Sequence, residues 1–383
     1  MIRLAKPSID EEDLKAVCAV LSTGYLVQGA QVGAFEAALA ERIGVPHAVV
    51  VSSGTAALHL ALLALGTGPG DLVAVTAYSF PATANVIELC GARPVFVDIC
   101  PGTFDIDPAC LDRALGTLLA GRGDAGRVRA VIPVHAFGQL ADMPQILGLA
   151  SRYQVPVLED AACALGARLN GRQAGTWGEL GCFSFHPRKA ITTGEGGLIV
   201  TASSSAAAQL RALRNHGEFR GENGPEFVVP GFNYRMTEFQ AALGCVQLRK
   251  LDRIIARRRL LARSYDELLG PTGFVPPRVR DGSEHVFQSY VVLMPEGTAA
   301  KRQSCIEYLR EQGVEATIGT WHMPLTSYFR KRYGYRPGDF PVTDDVFARS
   351  LTLPLHEELG PADQAKVRDA LVAFRDSLER GAR

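Results

Sequence analysis

Seven short apolar runs between residues 47 and 201 constrain this chain more than any other feature. They are HAVVV (47–51), LVAVTA (72–77), PVFVD (94–98), RAVIPV (129–134), VPVLE (155–159), GCFSF (181–185) and GLIVT (197–201). Most are continuous rather than alternating, as strands covered on both faces must be. Helical stretches such as 56–65 and 144–153 lie between several of them. The pattern predicts an α/β domain built on a mostly parallel sheet of seven strands flanked by helices. Asn170-Gly171 predicts a tight hairpin after the fifth strand, because both residues tolerate the left-handed backbone such turns need.

Upstream, Ser8 and Glu11 have capping-box spacing, and Leu14, Val17, Cys18 and Leu21 follow at helical period until Gly24. Val32, Phe35, Leu39 and Ile43 mark a second amphipathic helix, and a long helical pattern runs over 236–268. The Gly/Pro/charge-rich stretch 270–284 reads as a joint. Beyond it come a strand over 285–294, a helix ending near Gly313 and a last helix from Pro361. The division expected is a large domain over 1–268 and a smaller α+β domain over 269–383.

Forty Lys+Arg balance forty Asp+Glu, which argues against a partner bound through charge alone, nucleic acid or an anionic membrane surface. Eight scattered cysteines form no CxxC pair and no zinc-spaced cluster with histidine, so no metal is expected and a reducing compartment is. Neither a secretory leader nor a membrane-spanning stretch is visible, and the expected location is the cytoplasm.

Parallel α/β sheets gather ligands at the carboxyl ends of their strands, where helix N-termini offer free N–H groups. The first strand leads into Ser52-Ser53-Gly54-Thr55, small residues suited either to a phosphate or to an ordinary helix cap. The second leads into Tyr78-Ser79-Phe80-Pro81, with an aromatic that serves a core or a ring platform. The fifth ends in Glu159-Asp160-Ala161-Ala162, whose carboxylate can cap a helix or hold a protonated heterocycle nitrogen. The sixth leads through His186-Pro187-Arg188 to Lys189 and a Thr-Gly-Glu-Gly-Gly return. Short flanking strands keep that lysine from standing far out in water, so its amine can act as nucleophile and base. A phosphate cradle, an aromatic plate, an acid and an amine are the groups that pyridoxal phosphate requires.

On these segments the chain resembles the sugar aminotransferases of the DegT/StrS family, which share the aspartate-aminotransferase-like fold (fold type I of the pyridoxal phosphate enzymes). The similarity runs through SSGTAALHLAL (52–62), DLVAVTAYSFPATANVI (71–87), VLEDAACALGA (157–167), CFSFHPRKAITTGEGG (182–197), LRNHG (213–217) and GFNYRMTEFQAALGCVQLRKLD (231–252). It implies that Lys189 carries the cofactor as a Schiff base and that Asp160 pairs with the ring nitrogen. Phe80 and Ala162 would cover the two ring faces, and Gly54, Thr55 and Ser184 would hold the phosphate. Asn233 would reach that phosphate across a homodimer interface. Cys163 stands where the family often has Gln or His against the ring oxygen, a departure that puts a poorer donor there.

His186 and His322 are substrate candidates, although a structural role suits each as well; the segment Trp321-His322-Met323-Pro324 departs from the common pattern. The resemblance implies transfer of an amino group from an amino acid, glutamate by expectation, to a keto sugar carried on a nucleoside diphosphate. The ITTGEGG loop resembles that of relatives aminating the sugar's C4 more than that of relatives acting at C3. A sugar dehydratase on the same fold replaces the lysine, which Lys189 opposes. A non-catalytic sensor of sugar or cofactor is the remaining alternative.

Overall fold

The computed structural model describes residues 1–120, 126–221 and 224–381. Its strands are β1 (His47–Val51), β2 (Leu72–Thr76), β3 (Arg93–Val97), β4 (Val128–Ile132), β5 (Leu158–Asp160), β6 (Leu180–Ser184) and β7 (Gly197–Thr201). They form one sheet in the order β1-β7-β6-β5-β4-β2-β3. Pairings from β6 to β3 are parallel, the β5–β4 contact running through the bridges Val131–Val157 and Val134–Asp160. Only β7 runs against its neighbours. Each of the seven apolar runs thus contributes one strand, shifted at its ends by a few residues.

Helices α1 (Glu11–Thr23), α2 (Ala30–Ile43), α3 (Gly54–Ala64), α4 (Ala82–Leu89), α5 (Pro108–Ala120), α6 (Met143–Tyr153), α7 (Ser204–Arg214) and α8 (Glu238–Leu269) surround it. Alternate strand residues enter opposite cores. Val50, Ala74 and Leu198 meet Phe35 and Leu39 of α2 and Leu251 of α8. Val49, Val75 and Ile199 meet Leu58 of α3, Ile87 of α4 and Leu210 of α7. Covering both faces explains why the strands are continuous rather than alternating.

Beyond α8 lie α9 (Arg302–Glu311), α10 (Ser327–Tyr333), α11 (Pro341–Arg349) and α12 (Pro361–Gly381). Strands Tyr290–Leu293, Ser350–Leu353 and Thr317–Ile318 make a small antiparallel sheet. It packs against α9, α12 and the last turns of α8 through Leu261, Tyr265 and Leu269. The strand expected over 285–294 is shorter, Tyr290–Leu293, because Phe287 takes a left-handed φ of 47° and the preceding backbone bonds to Gly138 instead.

The first helix also begins differently from expectation. Asp10, rather than Ser8, is its cap and forms a reciprocal box with Asp13, while the Ser8 carbonyl accepts from Gln247. Lys250 lies between Asp10 and Asp13, 2.6 and 2.5 Å away, which joins α1 to α8. The hairpin at Asn170-Gly171 forms as read, with φ of 50° and 77°. Glu238, in the first turn of α8, accepts the amides of Gly29, Gln31 and Val32 at 2.9 Å each, and so caps α2, whose own N-cap is a glycine with no side chain to offer. No helix among the described residues is long and apolar enough to cross a membrane.

Candidate functional site

The carboxyl ends of β1, β5 and β6 build the site. Two residues beyond β1, Ser53 caps α3 by accepting the Ala56 amide at 3.0 Å. The amides of Gly54 and Thr55 fall in the first turn and so have no acceptor within the helix. A Cβ on Gly54 would lie 2.8 Å from the Cβ of Ser184, at the end of β6, and 3.2 Å from its hydroxyl. Only glycine allows this approach, which brings a hydroxyl, two N–H groups and the positive end of a helix together. That arrangement holds an anion.

At the end of β5, neighbouring carboxylates face opposite ways, as strand geometry requires. Asp160 is 4% exposed; its Oδ2 accepts from the Thr83 hydroxyl at 2.7 Å and its Oδ1 from the Ala162 amide at 3.1 Å. Ser79 extends the chain of hydroxyls, 3.2 Å from Thr83. Glu159 points inward, fully buried, onto the amides of Gly175 (2.8 Å), Trp177 (2.6 Å) and Gly178 (2.8 Å) and onto His135 Nε2 (2.8 Å). His135 accepts the Ala141 amide on Nδ1, which leaves Nε2 to donate to Glu159. This network fixes β5 from behind and aims Asp160 forward.

Lys189 lies in the turn from β6 to β7. Its amide donates to the His186 carbonyl at 2.8 Å, and the return is folded on itself through Thr192 and Thr193, both bonded to the Phe185 carbonyl. Gly194 takes a φ of 83° that the loop needs. The half-buried Lys189 side chain reaches back to the turn after β5 and donates from Nζ to the Sγ of Cys163, 3.1 Å away. Cys163 adjoins Ala162, whose amide holds Asp160, so amine and carboxylate contact neighbouring residues of the turn that follows β5. The Gln288 side-chain amide donates to the Arg188 carbonyl and steadies the turn from outside.

The other candidates fall around this centre or away from it. Phe80 stands 65% exposed between the Tyr78–Ser79 strand and α4. Asn233 is exposed; the adjoining Tyr234 carbonyl accepts from the amide of Ser52, which places the loop beside the start of α3. His186 is half-buried, accepts the Arg188 amide at 3.2 Å, and burial pushes its pKa down. His322 is 2% exposed, its Nε2 2.9 Å from Asp344 and its ring edge-on to Phe340 and Phe347; burial lowers its pKa as well. Thr83, Glu159, His135 and Gln288 carry the geometry without having been singled out in the sequence. For Thr83 the available signal was its place three residues after Phe80.

Comparison with known proteins follows the same lines. The family model for the DegT/DnrJ/EryC1/StrS aminotransferase family matches residues 7–372. The GDP-perosamine synthase of Caulobacter vibrioides is 37% identical over 373 residues, covering 97% of each chain. Among solved structures, Helicobacter pylori PseC, an aminotransferase involved in the biosynthesis of pseudoaminic acid, superposes with a TM-score of 0.90 at 27% identity, covering 98% of this chain and 99% of PseC. The PLP form of Spr1654 from Streptococcus pneumoniae, assigned as a sugar aminotransferase, gives 0.91 at 25% identity, covering 98% and 99%.

Proposed function

This chain belongs to the DegT/DnrJ/EryC1/StrS aminotransferase family, and on that premise we propose that it aminates a keto sugar carried on a nucleoside diphosphate, at C4 in preference to C3, with glutamate as the amino donor. It is a pyridoxal phosphate-dependent sugar aminotransferase. The nucleotide-linked substrate is supported by the likeness to a GDP-perosamine synthase, and the C4 preference by the ITTGEGG loop. In this reading the enzyme works in the cytoplasm, and residues 1–268 and 269–383 are its two domains.

The residues fit the cofactor. The glycine-only gap between Gly54 and Ser184 suits a phosphate, and Asp160 keeps lone pairs beyond its two donors for a ring N–H. When bound, pyridoxal phosphate supplies an aldehyde that takes the amino group and a cationic ring that draws off the electron pair left by proton removal. Gly54, Thr55 and Ser184 would grip its phosphate, with Asn233 reaching in from a partner subunit of a homodimer. Asp160, held by Thr83 and Ala162, would keep the ring nitrogen protonated. Phe80 and Ala162 would cover the ring faces, and Cys163 would lie at the ring oxygen. Lys189 Nζ would bind the aldehyde carbon and, once displaced, move the proton at the amino-bearing carbon. His186, in the same turn as Lys189, would meet substrate.

One observation carries the reading: the Lys189 amine donates to the sulfur of Cys163, the residue next to Ala162, whose amide holds the buried Asp160 carboxylate. The test is to convert the enzyme to its amine-loaded form with glutamate, then screen 3-keto and 4-keto nucleotide sugars for return of the aldehyde spectrum. Return with a 4-keto sugar is expected; return only with 3-keto sugars would reverse the carbon assignment, and no return with either would remove the substrate class. Sedimentation of the active enzyme as a monomer would remove the role of Asn233.

A further inference from the structure

A large aromatic side chain at a surface carries little meaning alone, since folded proteins expose many. The position of Trp321 gives it one. The short strand Trp321–His322 pairs antiparallel with Tyr78–Ser79, Trp321 opposite Ser79 and His322 opposite Tyr78. Opposed residues in a ladder stand on one face, and successive residues alternate. Tyr78 and His322 take the inner face: Tyr78 is buried and donates to the Ser350 hydroxyl at 2.8 Å, and His322 is shut against Asp344.

Ser79 and Trp321 take the other face. There the Ser79 hydroxyl meets Thr83, which donates to Asp160. The indole, 45% exposed, therefore stands on the side of the ladder that looks toward the reacting centre, and the exposed ring of Phe80 comes next along the chain from Ser79. From Trp321 the chain turns through Met323–Leu325 into α10. Leu325, Ser327, Arg330 and Lys331, before and along α10, line a hollow of about 430 Å³. Among the described residues no carboxylate pairs with Arg330 or Lys331; the nearby Glu88 is taken by Arg332, Tyr328 and Tyr333.

A flat apolar plate followed along the chain by two unpaired cations matches a substrate made of a ring followed by a diphosphate. We propose that Trp321 is the platform for the hexose of the substrate and that Arg330 and Lys331 receive its diphosphate. This rests on the nucleotide-sugar reading above and deepens it. The apolar C–H face of a pyranose packs on an indole, as other apolar groups do. The Arg330 guanidinium can take a phosphate oxygen pair bidentately, and Lys331 attracts the diphosphate as a point charge.

Intrinsic fluorescence tests this directly, because the chain has two tryptophans and Trp177→Phe leaves Trp321 as the only tryptophan, excited selectively at the red edge where tyrosine does not absorb. The holoenzyme variant is titrated with GDP-mannose, UDP-glucose and dTDP-glucose, and with the matching nucleoside diphosphates, while calorimetry records binding independently. Expected is a change in Trp321 emission with at least one nucleotide sugar and a much smaller one with its bare diphosphate. Trp321→Ala should weaken that sugar by about tenfold, the scale of an aromatic contact. The double change Arg330→Ala with Lys331→Ala should weaken sugar and bare diphosphate alike. Calorimetric binding with unchanged Trp321 emission would overturn the platform and leave the nucleotide-sugar reading intact. No binding of any of the six would remove both.

Discussion

Lys189 directs its side-chain nitrogen to the sulfur of Cys163, 3.1 Å away, and no carboxylate forms an ion pair with it among the described residues. A thiol is a weak partner for an ammonium, so the amine is placed without being locked. That suits a group that must leave its resting contact to bind an aldehyde.

Replacing Lys189 by alanine should therefore abolish the visible absorbance of the loaded enzyme and cut transamination by about a thousandfold or more. Spectra of purified Lys189→Ala protein, with borohydride reduction and peptide mapping of the parent enzyme, check this. A retained band would move the attachment to another lysine.

Thr83→Val removes the 2.7 Å donation to Asp160 while keeping the shape of the side chain. A hydrogen bond to a charged group is worth about 1.5–3 kcal/mol, so kcat/KM should fall by roughly tenfold or more. Thr83→Ser should recover most of it. Equal activity in the valine variant would mean that Asp160 holds its orientation without the hydroxyl.

The Glu238 carboxylate holds three amides at the start of α2. Glu238→Ala should cost about 2–4 kcal/mol in urea unfolding, more than an ordinary cap, because several buried donors lose their acceptor together. Gly29→Ala should also destabilise, since its Cβ would come within 2.6 Å of that carboxylate. A loss under about 0.5 kcal/mol for Glu238→Ala would show that water replaces the carboxylate.

Acid should weaken the fold before the surface carboxylates titrate. Burial, with a smaller contribution from Arg259, pushes the pKa of His285 down to about 3. The unfolded chain binds that proton near pH ~6.5, so stability is complete above that value and declines as pH falls toward about 3. His59, His322 and His356 shift in the same direction through burial and add to the slope. Denaturation midpoints measured across this window should fall with pH, and His285→Asn should flatten the decline. A slope unchanged by that substitution would assign it to other groups.

Much of this architecture was legible because burial on two faces leaves a plain mark. A run such as Leu72–Val75 is apolar at every position, and its neighbours lie beside it in the sheet. Asn170-Gly171 was legible because its chemistry is local. The order of the strands and the reversal of β7 leave no such mark, since they depend on pairings between distant segments. The same limit explains the cap at Asp10: its rival Ser8 has equal local chemistry, and the choice is set by Lys250 and Gln247 on α8.

At the site, the residues with reactive groups stood out as types, whereas their supports did not. Glu159 reads as one more acid beside Asp160, yet it is the buried anchor of the following turn. Phe287 was unreadable as a strand breaker because nothing in its side chain announces a left-handed backbone.

The carboxylate that completes the N-terminus of α2 comes from a residue 209 positions further along than the Gly29 amide it accepts. A nascent chain leaving the ribosome therefore carries that helix unfinished until α8 has begun to emerge. During translation the N-terminal segment must wait, open to chaperones and proteases, for a part of the protein that has yet to be made.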